Sequence, residues 1–160
     1  IMAAGEEYNI IPACPSLARS VEGGILSYAS DITLEDTPFT IGLERLIDVD
    51  KPSDYIGKEA LQRLAKEPIP RKLVGVNFGG DPVGSNDKFW DVHANGEVVG
   101  RITRCCYSPR LEHNIALVNV PTEVAEPGTK VQLDIRGTLV DAEIVALPWF
   151  ESHKKIPEGI

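Results

Sequence analysis

Glu22 is the residue whose surroundings most favour chemistry at a ligand. It lies between Val21 and the dipeptide Gly23-Gly24, and Ile25 follows, so the carboxylate is expected to be at least partly buried. A buried carboxylate requires hydrogen-bond donors. These could be the N–H groups of a ligand, which two glycines would allow to approach the backbone closely. Alternatively, Glu22 pairs with Arg19 or caps a helix, and the sequence leaves both interpretations open.

The other residue types that support catalysis do not form a recognisable set. His93, His113 and His153 share no metal-ligand spacing with one another or with the cysteines, so no metal site is predicted. Cys105 and Cys106 could be a reactive pair, although burial of one or both in a strand is the commoner case. No phosphate-binding glycine loop or Ser-His-Asp arrangement is indicated.

Composition excludes several classes of partner. The 160 residues include 16 Lys and Arg against 24 Asp and Glu, which gives a net charge of −8 and no basic run for nucleic acid or anionic membrane. No stretch approaches the ~20 apolar residues of a membrane span. Three cysteines, two of them adjacent, do not form an even disulfide framework. We therefore expect a reducing compartment, the cytoplasm or a mitochondrial matrix.

The first residues indicate a fragment of a longer protein. Ile1 precedes Met2, the only methionine, and residues 2–5 resemble the last turns of a helix closed by Gly5. A proteolytic or deliberate truncation is the leading interpretation. An expression remnant before Met2 is the alternative.

Residues 1–70 carry mixed signals for the elements that would position Glu22. Residues 17–28 could be helix or strand, because Gly23-Gly24 weakens a helix, and residues 31–39 are predicted to be a loop. Residues 42–49 are apolar enough for a buried strand. Residues 57–66 are predicted to form a helix with Glu59 in its first turn, and Pro68 follows. Its apolar face at helical period is made by Ile56, Ala60, Leu61 and Leu64.

After Pro70 the pattern changes to short strands between glycine turns, which is typical of an antiparallel barrel or sandwich. Asn95-Gly96 is the strongest hairpin signal. The net charge also divides here, at −6 for residues 1–70 and −2 for the remainder, so we place a domain boundary between Glu67 and Arg71. The predicted strands are residues 72–78, 89–93, 97–103, 114–120, 130–135 and 138–147.

Two sets of short motifs, in the right order along nearly the whole chain, resemble the glycine cleavage T-protein (aminomethyltransferase) family. The first set resembles that family's central block: Glu22-Gly23-Gly24, Tyr28, Asp31, Pro38, Gly42-Leu43 and Ile56-Gly57-Lys58-Glu59-Ala60-Leu61. The second resembles its C-terminal barrel: Gly100-Arg101-Ile102-Thr103, Ser108-Pro109, Leu111, Asn114-Ile115-Ala116-Leu117, Pro127-Gly128-Thr129 and Leu147-Pro148-Trp149-Phe150.

The resemblance implies an α+β chain: residues 1–70 as the end of a mixed α/β folate-binding domain, and residues 71–160 as a six-stranded antiparallel β-barrel with a C-terminal tail. It implies transfer of a one-carbon unit between a small aminomethyl or methylated donor and tetrahydrofolate. It also places the key catalytic aspartate in an N-terminal segment that would partner this chain. We therefore expect no catalytic residue within these residues and no activity from them alone.

Departures from the family pattern favour one branch. Ser16 and Ser20 stand where glycine cleavage members carry arginines, with Arg19 one place earlier, and Thr103-Arg104-Cys105 replaces Thr-Ser-Gly. The pattern is more similar to the demethylase branch, such as dimethylsulfoniopropionate demethylase, or to an uncharacterised relative. The residues that carry this similarity are Leu26-Ser27-Tyr28, Ser108-Pro109-Arg110 and the tail Lys154-Lys155-Ile156-Pro157.

Six residues are the resulting candidates for contact with folate or the donor: Glu22, Arg19, Tyr28, Arg110, Trp149 and Lys154. Glu22 would orient the pterin or substrate. Tyr28 could instead be a packing aromatic, and Trp149 could simply close the barrel. Arg110 and Lys154 would face the folate's glutamate tail or otherwise be solvated.

Two functions of other classes remain open. One is a non-catalytic folate-binding or RNA-modification accessory protein on the same fold. The other is the folate domain of a flavin-dependent amine dehydrogenase, which would require a long upstream dinucleotide-binding segment.

Overall fold

The computed structural model describes residues 1–11 and 16–149, which form a β-barrel with short helices before it. The helices are α1 (Met2–Gly5), α2 (Leu17–Glu22) and α3 (Lys58–Leu64), with 3₁₀ turns at Glu6–Tyr8, Glu44–Leu46 and Thr122–Val124. The strands are β1 (Arg71–Phe78), β2 (Trp90–Ala94), β3 (Glu97–Ser108), β4 (His113–Pro121), β5 (Lys130–Ile135) and β6 (Thr138–Val145). In this part of the chain, no helix is long and apolar enough to cross a membrane.

The strands close into a six-stranded antiparallel barrel in the order β1-β4-β3-β2-β5-β6. This confirms the predicted barrel. The β2–β3 hairpin turns at Asn95-Gly96, where both residues have positive φ, 54° and 82°, as a tight two-residue turn between twisted strands requires. The barrel begins at Arg71, and the division of the chain into two domains at residue 70 stays a prediction.

Side chains alternate between a barrel interior and an outer face that carries helix α2. Val76, Val92, Leu133 and Ile144 are fully buried in the interior. A second apolar cluster outside the barrel joins Val21 of α2 to Leu73, Cys106, Ile115 and Leu117 of β1, β3 and β4. Burial of Val21 thus fixes α2 against the barrel wall. Such burial stabilises the folded state by about 25 cal/mol for each Å² of apolar surface removed from water.

Two local predictions for residues 1–70 were wrong. Residues 42–49 are not a buried strand, since they contain the 3₁₀ turn and Leu46 is 67% exposed. Glu44 and Arg45 interrupt the apolar residues there, so no alternating face exists to bury. The predicted helix at residues 57–66 is present as α3, but Ile56, assigned to its apolar face, is fully exposed. Of the two possibilities for residues 17–28, the helix is confirmed as far as Glu22.

Candidate ligand site

A β-bulge in β3 turns two consecutive side chains toward the outside of the barrel. The register of β3 on β4 shifts between Ile102 and Arg104, which leaves Thr103 as the extra residue. Ile102 and Cys105 point into the barrel core, whereas Thr103 and Arg104 both reach outward to Asp31. Without the extra residue, neighbouring side chains would lie on opposite faces of the strand. The bulge therefore places two hydrogen-bond donors before one carboxylate.

Asp31 is that carboxylate, and it is only 2% exposed. Its Oδ1 accepts a hydrogen bond from Thr103 Oγ1 at 2.6 Å, and its Oδ2 lies 2.7 Å from Arg104 Nη2. The backbone N–H of Ser27 also donates to Oδ2, at 2.8 Å. Both oxygens are thus engaged, as a buried charge requires.

The Arg104 guanidinium makes two further contacts with the segment that carries Glu22. Its Nη1 donates to Ser20 Oγ at 3.0 Å, and its Nη2 donates to the Ile25 carbonyl oxygen. The side chain is 11% exposed. Its Nε–H is shielded from solvent and has no hydrogen-bond partner among the described residues.

Glu22 is buried, at 6% exposure, as its surroundings predict. Its Oε1 accepts a hydrogen bond of 2.5 Å from the hydroxyl of Ser108, at the end of β3. Its backbone carbonyl accepts from the N–H of Trp149 at 3.1 Å. The described partner of the carboxylate is therefore Ser108, not the Arg19 considered from the sequence. Arg19 is exposed, and its backbone N–H is capped by Ser16 Oγ at 3.4 Å.

Gly23 and Gly24 follow Glu22 and end helix α2. Gly23 N–H closes the last turn on the Arg19 carbonyl, and Gly24 takes a left-handed φ of 60°. A Cβ on Gly24 would have Leu147 Cβ as its nearest neighbour at 3.8 Å. A Cβ on Gly23 would lie 3.2 Å from the Arg19 carbonyl oxygen and 3.5 Å from Ile25 Cγ1. The backbone after Glu22 thus carries no side chain of its own but is flanked by Ile25 and Leu147.

The other predicted contact residues are distributed around this segment. Trp149 packs its ring over Gly75 of β1 and donates from Nε1 to Asn77 Oδ1 at 2.6 Å, so it packs on the barrel wall next to Glu22. Tyr28 is 66% exposed at the far end of the segment. Arg110 is exposed on the β3–β4 loop, two residues after Ser108. Lys154 and Phe150 lie outside the described residues.

Sequence reasoning did not find the network of Asp31, Thr103, Arg104 and Ser108. A usable signal was present, because Arg104 lies between Ile102 and two cysteines in an apolar strand. A buried arginine there requires a carboxylate. The sequence does not reveal which carboxylate this is, because Asp31 lies 72 residues from Thr103, the neighbour of Arg104.

Cys105 and Cys106 are both buried with free thiols. Burial raises the pKa of Cys105 to about 12, and the neighbouring Cys106 adds to the rise. Burial raises the pKa of Cys106 to about 11, and the Glu22 carboxylate adds to it, while Arg104 opposes it. Both groups are therefore neutral thiols at neutral pH, a state in which cysteine is a poor nucleophile.

The free energy of unfolding is expected to fall as the pH rises above 9.0, the ordinary pKa of a cysteine thiol. In that range the unfolded chain releases the two thiol protons while the folded chain retains them, so alkaline pH favours unfolding. Urea unfolding between about pH 8 and 10.5 should show a steeper decline for the wild type than for the Cys105→Ala/Cys106→Ala variant. Equal slopes would show that the thiols are not buried.

A separate groove of about 840 Å³ lies across β1, β2, β5 and β6. Its lining includes His93, His113, the Lys130–Glu143 ion pair and Asn77, the partner of Trp149. The groove does not include Glu22 or the Asp31 network. Among the residues of the described ranges, no group of three or more His, Cys, Asp or Glu could hold a metal ion.

The barrel is the part of the chain that identifies its relatives. The family model described as the glycine cleavage T-protein C-terminal barrel domain matches residues 71–151, about half of the chain. The chain belongs to the glycine cleavage T-protein family. The resemblance found in the sequence motifs is thereby confirmed.

Individual members of the T-protein family match both halves of the chain. An aminomethyltransferase of Saccharopolyspora erythraea is 38% identical over 94% of this chain and 41% of its own length. The dimethylsulfoniopropionate demethylase DmdA of Ruegeria pomeroyi is 34% identical over 84% of this chain and 36% of its own length. The chain thus spans about two fifths of the length of these relatives.

A solved structure of the family shares the fold. The aminomethyltransferase T of the Bartonella henselae glycine cleavage system superposes with a TM-score of 0.70 at 25% identity, over 84% of this chain and 37% of that one. The superposed region therefore extends beyond the barrel into residues 1–70.

Proposed function

We propose that the protein containing this chain is a tetrahydrofolate-dependent aminomethyl- or methyltransferase, and that this chain supplies part of its folate site. The observation that carries the proposal is the buried Glu22 carboxylate beside the bare backbone of Gly23-Gly24, in a chain similar to aminomethyltransferases over nearly all its length.

The residues around Glu22 suit a flat heterocycle that carries N–H donors. The carboxylate accepts hydrogen bonds only, and in a buried setting such a bond to a ring N–H is strong and directional. Gly23-Gly24 contributes no side chain of its own, and the exposed Ile25, which lies beside Gly23, and Tyr28 offer apolar surface nearby. Tetrahydrofolate would supply the ring nitrogen that accepts the one-carbon unit. Glu22 would hold the ring in one orientation, which is a positioning role.

The donor and the catalytic carboxylate would come from the rest of the protein. The two identities, 38% to an aminomethyltransferase and 34% to a demethylase, differ too little to choose between an aminomethyl and a methylated donor. The demethylase branch favoured by the sequence pattern therefore stays a prediction. The catalytic aspartate that the T-protein resemblance implies would belong to a part of the protein outside this chain.

Substitution of Glu22 by glutamine in the full-length protein is expected to weaken tetrahydrofolate binding. The amide keeps the size of the side chain and can still accept from Ser108, but it loses a charge-assisted hydrogen bond worth about 1.5–3 kcal/mol, roughly 10- to 150-fold in Kd. Isothermal titration calorimetry measures the change directly. Glu97→Gln, at an exposed position on the β2–β3 hairpin, is the control and should bind as the wild type does.

Thermal shift of the wild type tests the function itself. A ligand at about 100 times its Kd stabilises the folded protein by about 2.7 kcal/mol, so saturating tetrahydrofolate should raise Tm clearly. The proposed function would be overturned if tetrahydrofolate did not shift Tm and the full-length protein transferred no one-carbon unit from an aminomethyl or a methylated donor.

A further inference from the structure

Residues 20–31, here called the ligand segment, are held by turn hydrogen bonds of the backbone and by side-chain contacts, with regular structure only at their start. Helix α2 ends at Glu22, and from Gly23 to Asp31 the segment contains no helix or strand beyond an isolated bridge between Tyr28 and Ile32. Without a hydrogen-bonded ladder, such a segment opens at low free-energy cost unless other contacts hold it.

Arg104 supplies contacts at the start, middle and end of the ligand segment. One guanidinium bonds Ser20 Oγ, the Ile25 carbonyl oxygen and the Asp31 carboxylate. The guanidinium of arginine is planar and donates hydrogen bonds to three acceptors in fixed directions. A lysine ammonium, at the end of a flexible chain, does not provide this geometry. The ligand segment is thereby folded around one rigid cation.

The same face of β3 also holds Glu22. Arg104, Cys106 and Ser108 alternate along the strand and all point outward, and Ser108 bonds the Glu22 carboxylate while Asp31 bonds Arg104. Three side chains of one strand therefore fix both the carboxylate and the loop that follows it. This placement leaves the buried Nε–H of Arg104 without a hydrogen-bond partner among residues 1–11 and 16–149.

We propose that Arg104 is a positioning residue of the ligand site, which holds residues 20–31 in the shape that presents Glu22 and Gly23-Gly24 to the ligand. This inference rests on the proposed folate function for the identity of the ligand. The bulge at Thr103 contributes to this positioning in two ways. It directs the Arg104 guanidinium out of the barrel, and it allows the Thr103 hydroxyl to donate a second hydrogen bond to Asp31.

The test compares Arg104→Gln with Arg101→Gln in the full-length protein. Arg101 is on the same strand, but its guanidinium stacks on Phe89, 4.5 Å from the ring centroid, in place of contacting the ligand segment. Hydrogen exchange of the ligand-free protein should be about tenfold or more faster in Arg104→Gln at the amides of Ser27 and Asp31, while the amides of β4 keep their protection. Arg101→Gln should exchange as the wild type does.

Tetrahydrofolate titration of the same proteins supplies the second readout. The Kd should rise about tenfold or more in Arg104→Gln and stay unchanged in Arg101→Gln. Unchanged exchange at residues 20–31 in Arg104→Gln would overturn the inference, as would faster exchange with an unchanged Kd. If the wild type binds no tetrahydrofolate, the proposed function fails and with it the role in folate binding, while the exchange data still decide whether Arg104 holds the segment.

Discussion

Replacement of Gly100 by alanine is expected to destabilise the protein by about 3 kcal/mol or more, a large part of the stability of an ordinary domain. A Cβ at this position in β3 would lie 2.2 Å from the backbone oxygen of Asn119 and 2.9 Å from Val120 Cγ1 in the paired strand β4. The obstacle is backbone in the middle of a closed barrel, so relief requires β3 and β4 to separate just before the bulge.

Gly84→Ala is the matched control for this substitution. A Cβ on Gly84 would meet nothing within 4 Å, and both substitutions reduce the freedom of the unfolded chain equally. Urea or thermal unfolding should therefore place Gly84→Ala within about 1 kcal/mol of the wild type. Similar stabilities of the two variants would show that β3 and β4 do not approach this closely.

Replacement of Asp31 by alanine is expected to cost about 3–5 kcal/mol of stability. It leaves the Arg104 guanidinium buried without a counter-charge and deprives Thr103 Oγ1 and the Ser27 N–H of their acceptor. The penalty arises mainly from the uncompensated charge, since breaking a buried pair costs more than the pair itself contributes.

Two variants distinguish this explanation from simple loss of an ion pair. Glu143→Ala breaks an exposed pair with Lys130, whose side chains are 46% and 77% exposed, and should change stability by only ~0–1 kcal/mol. The double variant Asp31→Ala/Arg104→Met removes the orphaned charge and should be more stable than Asp31→Ala. A double variant less stable than the single one would contradict the charge argument.

The barrel was predictable because its sequence signals are local. Apolar alternation and turn dipeptides such as Asn95-Gly96 mark each strand within its own residues, and strand β5 matches its predicted limits. Strand β3 was predicted to end at Thr103 but continues to Ser108. The second half of β3 was not predicted, because the bulge breaks the alternation of side chains by which a strand is recognised in a sequence.

The candidate site was predictable only in its first residue. Glu22 with two glycines indicates a buried acceptor from neighbouring residue types alone. Its partner Ser108 is 86 residues away, and it meets Glu22 only because closure of the barrel brings the end of β3 beneath helix α2. No local pattern encodes such a pairing, and the same holds for Asp31 and Arg104.

The single extra residue in β3 also determines which side chains after Ile102 face the barrel interior and which face outward. Ile102 and Cys105 serve the barrel interior, whereas Arg104, Cys106 and Ser108 serve the surface that carries Glu22. Because the two sets do not share side chains, the outward set can change to suit another ligand without repacking the barrel interior, provided that each buried polar group keeps a partner. A bulged strand of this kind gives a lineage freedom to change its chemistry without rebuilding its barrel.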